Sequence, residues 1–352
     1  MVLSKKQKHI LYYVSTSLGI LAIGSLVIPF IYEHRGFISY QYDIATSKQY
    51  SSYQDELIEL VRHDPPAAFH RYREILAATP IAHNTCHGIA HKMGHEAFET
   101  FGFSKAMSYQ DGICGGGYIH GIIESRFGLL QEKDIIEQLP VICPIGDGSC
   151  YHGIGHGLMI ATKLNTPASL SYCDLLPIVG RRNCFDGVWM HVFDLEETGM
   201  HDTTSTTLTT DLSTTAPTYC INTKTPYKTS CYFYLPRIYA HQKEVSFTYY
   251  QDLCESVETN YMPTCAAGTG HSLMKYHIDH PPTALNTCKN FTNTTLSDAC
   301  IEGGILYYFF DIESMEQTTL TNEESEHLCD TTFSDPTQHT LCKKVAVYRN
   351  NE

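Results

Sequence analysis

Between Cys86 and Glu96 the chain reads CHGIAHKMGHE, a cysteine, three histidines and a glutamate within eleven residues. A related stretch, CYHGIGHGLM, runs from Cys150 to Met159. Neutral imidazole is the commonest metal-binding side chain, and residues four apart share one face of a helix. His87 and His91 make such a pair, His152 and His156 make a second, and His95 extends the first. His120 and His271 occur in similar Gly-containing stretches further along. The candidate metal ligands are therefore His87, His91, His95, His120, His152, His156 and His271. Nitrogen and oxygen donors point to Zn, Cu or Fe, and paired histidines also suit a non-covalent haem.

A hydrolytic metal site needs a base beside the ion. Glu96 and Glu124 are the candidates for that catalytic role, and Glu124 follows His120 by four residues. HKMGHE matches neither HExxH nor HxxEH, because its glutamate lies outside the histidine pair. No GxSxG element, phosphate loop or dinucleotide fingerprint is present, and no CxxCH for covalent haem. The motifs thus define a metal or haem site and leave the reaction open. The competing reading makes the histidines structural repeat residues, each satisfying a backbone carbonyl of its neighbour.

The elements that position these residues follow from a repeat. Cys114, Cys150, Cys184, Cys265 and Cys300 are each followed at the third position by glycine. Cys231 occupies the same place with Tyr234, and Cys86 is one residue out of step, with Gly88. The steps 114–150, 150–184, 231–265 and 265–300 are 36, 34, 34 and 35 residues. That period suits a helix–turn–helix unit. The longer 184–231 step carries a Thr-rich insertion over 202–218, read as an exposed loop. Apolar residues recur at helical spacing in 129–139 and 245–257. Pro and Asn/Thr clusters such as NTPAS, TKTPYKTS and DHPPT read as loops. Glycine in the openings would let neighbouring helices approach closely. The expected fold is all-α, about six or seven helical hairpins in a curved solenoid or an α/α toroid. The Gly pattern and the Cys86-His87-Gly88 order resemble the lanthipeptide cyclases. Those are α/α toroids with a Cys-His-Gly element in their zinc site. The likeness stops at that element and bears on fold alone.

Fourteen cysteines, without a close CxxC pair, favour disulfides over zinc ribbons. Spacings of 11 to 13 residues pair Cys173 with Cys184, Cys220 with Cys231, Cys254 with Cys265, Cys288 with Cys300, and Cys329 with Cys342. Cys143 with Cys150 is a tighter version, which leaves Cys86 for Cys114.

Lys5, Lys6 and Lys8 precede an uncharged, apolar run from Ile10 to Tyr32, long enough to span a bilayer as a helix. The lysines would remain cytoplasmic. The expected organisation is a cytoplasmic N-terminus (1–9), a signal-anchor helix (10–32), a Tyr- and Ser-rich stalk (33–56) and a disulfide-rich domain (57–352). That domain would lie on the extracellular, periplasmic or lumenal side. A net charge of −14 with no basic cluster beyond the N-terminus argues against nucleic acid. Partners are the membrane, through the anchor, and a membrane-protein or peptide partner. Two functions fit: a membrane-anchored protein with a His-rich metal or haem site, and a non-catalytic scaffold or accessory subunit of a membrane complex. Two sequons, at Asn290 and Asn293, are short enough to occur by chance, and Trp189 and the run LYYFF (306–310) read as core.

Overall fold

A computed structural model of the chain describes residues 53–79, 83–193, 212–240 and 246–349. All regular structure among these residues is helical. The Ile10–Tyr32 anchor lies outside the described residues. Among those that are described, no helix is long and apolar enough to cross a membrane.

Helix α1 covers 53–61 and α2 covers Pro65–Ala78. Asp64 caps α2 by accepting from the Ala67 amide, and Pro65 opens it, where a missing N–H costs nothing. Seven helices begin at or carry the cysteine openings: α3 (His83–Phe101), α5 (Ile113–Gly128), α7 (Gly148–Ala161), α9 (Ile178–Phe193), α11 (Thr225–Tyr234), α14 (Met262–Tyr276) and α16 (Thr294–Glu316), all but α11 containing glycine. They pack in chain order, each on the next. The series also meets itself, since α16 contacts α5 and α14 contacts α3.

Other helices fill the steps between them. These are α4 (Phe103–Met107), α6 (Glu132–Gln138), α8 (Thr166–Cys173), α10 (Leu212–Asn222), α12 (Arg237–Ala240), α13 (Phe247–Ser256) and α15 (Pro281–Cys288). Helices α17 (Asn322–Thr332) and α18 (Pro336–Arg349) end the described chain, with α18 against α16.

Several stretches read as loops are helix beginnings. NTPAS starts α8, with Asn165 capping the Ala168 amide and proline in the first turn. TKTPYKTS and DHPPT likewise place proline at the starts of α11 and α15. Proline and Asn/Thr are loop signals only in the absence of a following helix; before one they are capping residues. The Thr-rich insertion is shorter than expected too, because α10 begins at Leu212. Threonine is a weak helix former, but α10 is held against α11 by packing and by Cys220–Cys231.

Seven disulfides join the pairs expected from spacing. Five tie a helix to the one that follows it, and Cys143–Cys150 ties the loop after α6 to α7. Cys86–Cys114 instead links α3 to α5. Closing loops of this size contributes about 3 kcal/mol each in the chain-entropy model. Such a density of bridges is the mark of folding in an oxidising compartment.

Glycine sets how closely the long helices approach. A Cβ on Gly121 of α5 would stand 2.0 Å from the His91 carbonyl oxygen, and one on Gly187 of α9 would stand 2.0 Å from that of His152. No side chain fits there, so these glycines bring the histidine-bearing helices into backbone contact. Between the helices, Trp189, Tyr118, Tyr151, Tyr232 and Phe127 are fully buried. Trp189 stacks on Phe193 in the core, as expected. The LYYFF run divides: Phe309 is buried, whereas Tyr307 and Phe310 line a cavity.

Candidate metal centre

The histidine pairs lie on neighbouring helices at the same height, because the glycines bring α3, α5 and α7 together in register. His87, His91 and His95 project from α3, His120 and Glu124 from α5, His152 and His156 from α7, and His191 from α9. His91, His120, His156 and Glu124 are at most 1% exposed.

His87, His91, His120 and His156 each offer one nitrogen within 4.8 Å of all the others. His87 Nε2 lies 3.0 Å from His91 Nε2 and 3.3 Å from His120 Nδ1. A tetrahedral ion with metal–nitrogen bonds of about 2.0–2.1 Å separates its ligand atoms by about 3.3 Å. Those two spacings are close to that value, and the four nitrogens are near enough to converge on one ion.

Two outer hydrogen bonds fix the tautomers. His87 Nδ1 donates to the Cys114 carbonyl at 2.6 Å. His91 Nδ1 donates to Glu124 Oε2 at 3.0 Å. With Nδ1 so engaged, each ring turns its Nε2 inward, and the two Nε2 atoms face each other. A metal-bound histidine typically shows the same outer partners, a carbonyl or a carboxylate on the opposite nitrogen. The Cys114 carbonyl reaches His87 because α5 starts with a left-handed turn. Cys114, Gly115 and Gly116 have φ of 55°, 67° and 77°. A cysteine in that region is strained, and its disulfide to Cys86, the residue before His87, holds it there.

Glu124 anchors two further groups. With His91 and His95 it forms one set, and with His156 and His191 another. Its Oε2 accepts from His91 and, at 2.9 Å, from His95 Nε2. His95 Nδ1 in turn meets the Ser125 hydroxyl at 2.7 Å. Glu124 Oε1 lies 3.7 Å from His156 Nδ1, which is 3.4 Å from His191 Nδ1. Glu124 Oε1, His120 Nε2 and His156 Nε2 are buried without a hydrogen-bond partner. Native proteins rarely leave buried polar atoms in this state, and the Glu124 and His156 atoms in one cluster fit a bound cation.

The electrostatics agree. Burial, reinforced by the neighbouring imidazoles, holds His87, His120 and His156 well below the usual histidine value. Burial also takes His152 down to about 3, with help from the Arg237 charge, and His191 to about 4. Burial alone would raise the Glu124 carboxyl, but His91 and His95 overcome it and keep the group ionised. His87, His120 and His156 are thus held in the unprotonated form that binds metal.

The remaining candidates stand apart. His152 stacks on His120 at 5.0 Å between ring centroids, and its Nε2 is 3.2 Å from Met190 Sδ. His271 lies on α14 among Phe233, Tyr307 and Arg237. Glu96 faces away and pairs with Arg62 at 2.7 Å. Glu124 is in the cluster, but as a partner and candidate ligand of the histidines. His191 was not among the expected ligands. It stands seven residues after Cys184, where His120 and His156 stand six after their cysteines, and α9 carries it against α7.

A cavity of about 520 Å³ meets the cluster at His87, His120 and His152. Its other walls include Asp186, Tyr234, Arg237, Lys275, Tyr307 and Phe310.

Fold and site together define an all-helical, disulfide-rich protein with a buried histidine cluster able to hold a metal ion. No family model, curated protein or solved structure matches the chain.

Proposed function

We propose that the chain is a membrane-anchored, extracytoplasmic metalloprotein, built as helical-hairpin repeats closed into an α/α toroid. The observation that carries the metal reading is the pair of facing Nε2 atoms of His87 and His91, 3.0 Å apart, with both tautomers fixed from outside. Two lone pairs at that distance repel unless a cation lies between them. A proton would meet the cost of charging a buried imidazole; a metal ion is held by four nitrogens at once. His87, His91, His120 and His156 would bind it, with Glu124 and the Cys114 carbonyl orienting the rings. The donor set suits Zn, Cu or Fe.

The crowding favours a bare ion over haem. The rings of His87, His91, His120 and His156 surround one point, with neighbouring centroids 4.7–5.4 Å apart for the closest pairs. Axial haem ligands face each other across a porphyrin plane instead. When bound, such an ion polarises an oxygen or lowers the pKa of a bound water. His87 and His120 line the cavity, so the centre has a face toward small molecules.

The toroid reading rests on the glycine-mediated packing of successive long helices and on the return contacts of α16 and α14. The anchor and the extracytoplasmic location rest on the Ile10–Tyr32 run, the lysines before it and the seven disulfides.

The test is elemental analysis and an absorption spectrum of the full chain, purified in detergent without a polyhistidine tag. About one equivalent of a transition metal, lost in His87→Ala and His156→Ala, supports the reading. A colourless, metal-free chain whose unfolding ignores chelators contradicts it and favours the scaffold.

A further inference from the structure

The bridge between Cys86 and Cys114 differs from the other six. It spans 28 residues and joins two histidine-bearing helices, whereas the others span 7 to 13. Both of its cysteines line the cavity, and they are 5% and 6% exposed. Every other cysteine except Cys143 is fully buried. A reductant entering the cavity meets this bridge directly, while the buried ones wait on local opening of the helices around them.

The bridge is also coupled to a metal ligand from both ends. Cys86 precedes His87, and Cys114 supplies the carbonyl that accepts from His87 Nδ1 at 2.6 Å. That carbonyl is in place only because Cys114 lies in the left-handed region, at φ 55°, ahead of Gly115 and Gly116. A cysteine leaves that region when nothing holds it there. Two supports hold it. Asp111 pins the approach to the turn, accepting from the Ile113 amide at 2.8 Å and from Arg73 Nη2 at 2.7 Å. The bridge is the second, and it is the one that a change of redox state removes.

We propose that Cys86–Cys114 is a redox switch that sets the orientation of His87 in the metal centre. A dithiol opens it by exchange. One thiolate of the dithiol attacks a bridge sulfur, and its second thiol resolves the mixed disulfide. The dithiol leaves as a disulfide, and two electrons and two protons stay on Cys86 and Cys114 as thiols. Cys114 then relaxes out of the left-handed region, its carbonyl leaves His87, and the ring turns its Nε2 away from the ion. Re-oxidation restores the site. The effect on the ion rests on the metal reading above; the order in which the bridges open does not.

The experiment is graded reduction of the full chain with dithiothreitol. Free thiols are blocked with iodoacetamide, the reagents are removed, and the opened bridges are identified by peptide mapping. Cys86–Cys114 should open at least tenfold faster than any other bridge. Protein with that bridge alone opened should bind Zn²⁺ at least tenfold more weakly at unchanged helix content, as when an outer partner of a metal-bound histidine is lost. The double variant Cys86→Ser/Cys114→Ser should show the same low affinity before and after dithiothreitol. Another bridge opening first, all opening together, or an opened bridge with unchanged Zn²⁺ affinity overturns the proposal. If no Zn²⁺ binds even before reduction, the metal reading fails, and labelling of His87 by diethyl pyrocarbonate reads the switch instead. Faster labelling of His87 once the bridge is open supports it, and an unchanged rate overturns it.

Discussion

Glu124 Oε2 accepts from His91 Nδ1 at 3.0 Å, and this bond decides which nitrogen of His91 faces the other histidines. Without it the ring could turn its N–H inward, and the lone pair opposite His87 would be lost. The same carboxylate is held by His95 at 2.9 Å, so one side chain of α5 orients two from α3.

Glu124→Gln therefore tests orientation separately from ligation. The amide keeps the shape but loses the charge and one acceptor. Metal affinity should fall about 10- to 100-fold, the usual effect of removing such an outer partner. Competition against a chromophoric chelator measures it; an unchanged affinity would show that the carboxylate does not tune the site.

Metal-free protein should lose stability as the pH falls below neutrality. His152 and His191 have folded values of about 3 and about 4, below the ordinary 6.5. Below 6.5 the unfolded chain takes up protons that the folded one refuses, so stability is present above that value and falls toward the folded ones. Between pH 7 and 5 the loss is on the order of 2 kcal/mol for each of these two residues. Urea unfolding of chelator-treated protein at the two pH values reads it. A midpoint independent of pH would mean that the histidines are not buried in neutral form.

Asp186 gives the opposite slope. Burial pushes its carboxyl up to about 6, against the pull of Ser230, Arg182 and Arg237. A raised acid favours the folded state only while protonated, so its contribution is complete below the ordinary 3.8 and lost as pH rises through 6. Asp186→Asn should raise stability at pH 7.5 by about 1–2 kcal/mol and have little effect at pH 4. Thermal unfolding at both values distinguishes this from a general packing effect, which would be the same at each.

Gly187→Ala should be strongly destabilising. Its Cβ would meet the His152 carbonyl at 2.0 Å, and backbone cannot move aside as a side chain can. Overpacking of this kind costs about 1–3 kcal/mol or more. Gly128→Ala is the control, because its Cβ would make an ordinary contact of 3.6 Å with Ile160. Denaturant midpoints of the two variants should separate clearly; equal midpoints would mean that α7 and α9 are not in backbone contact.

Much of this arrangement could be read from the chain because it is local. Cysteines 11 to 13 residues apart link a helix to its successor, so spacing alone found their partners. His87/His91 and His152/His156 share helix faces for the same reason. The Cys-to-Gly spacing marked where helices touch, since only glycine fits against a neighbouring carbonyl. What stayed hidden depends on how separate helices are rotated. Glu96 follows His95 by one residue, and that turn of about 100° aims it at Arg62 and away from the cluster. Glu124 reads as a base because carboxylates beside histidines often are, and its four histidine neighbours come from three other helices. The left-handed turn at Cys114 had no signal beyond its run of glycines. Arg237 and Lys275 lie 38 residues apart on different helices, and nothing in either local sequence joins them to the histidines.

The central claim is that four histidines from three helices bind one ion. Equilibrium dialysis of the chelator-treated full chain against Zn²⁺, with metal counted per protein for the wild type and His91→Ala, tests it most directly. We predict about one tightly held equivalent in the wild type, surviving gel filtration, and its loss in the variant with the disulfides intact. No retained zinc in the wild type, or the same equivalent in His91→Ala, would contradict the claim.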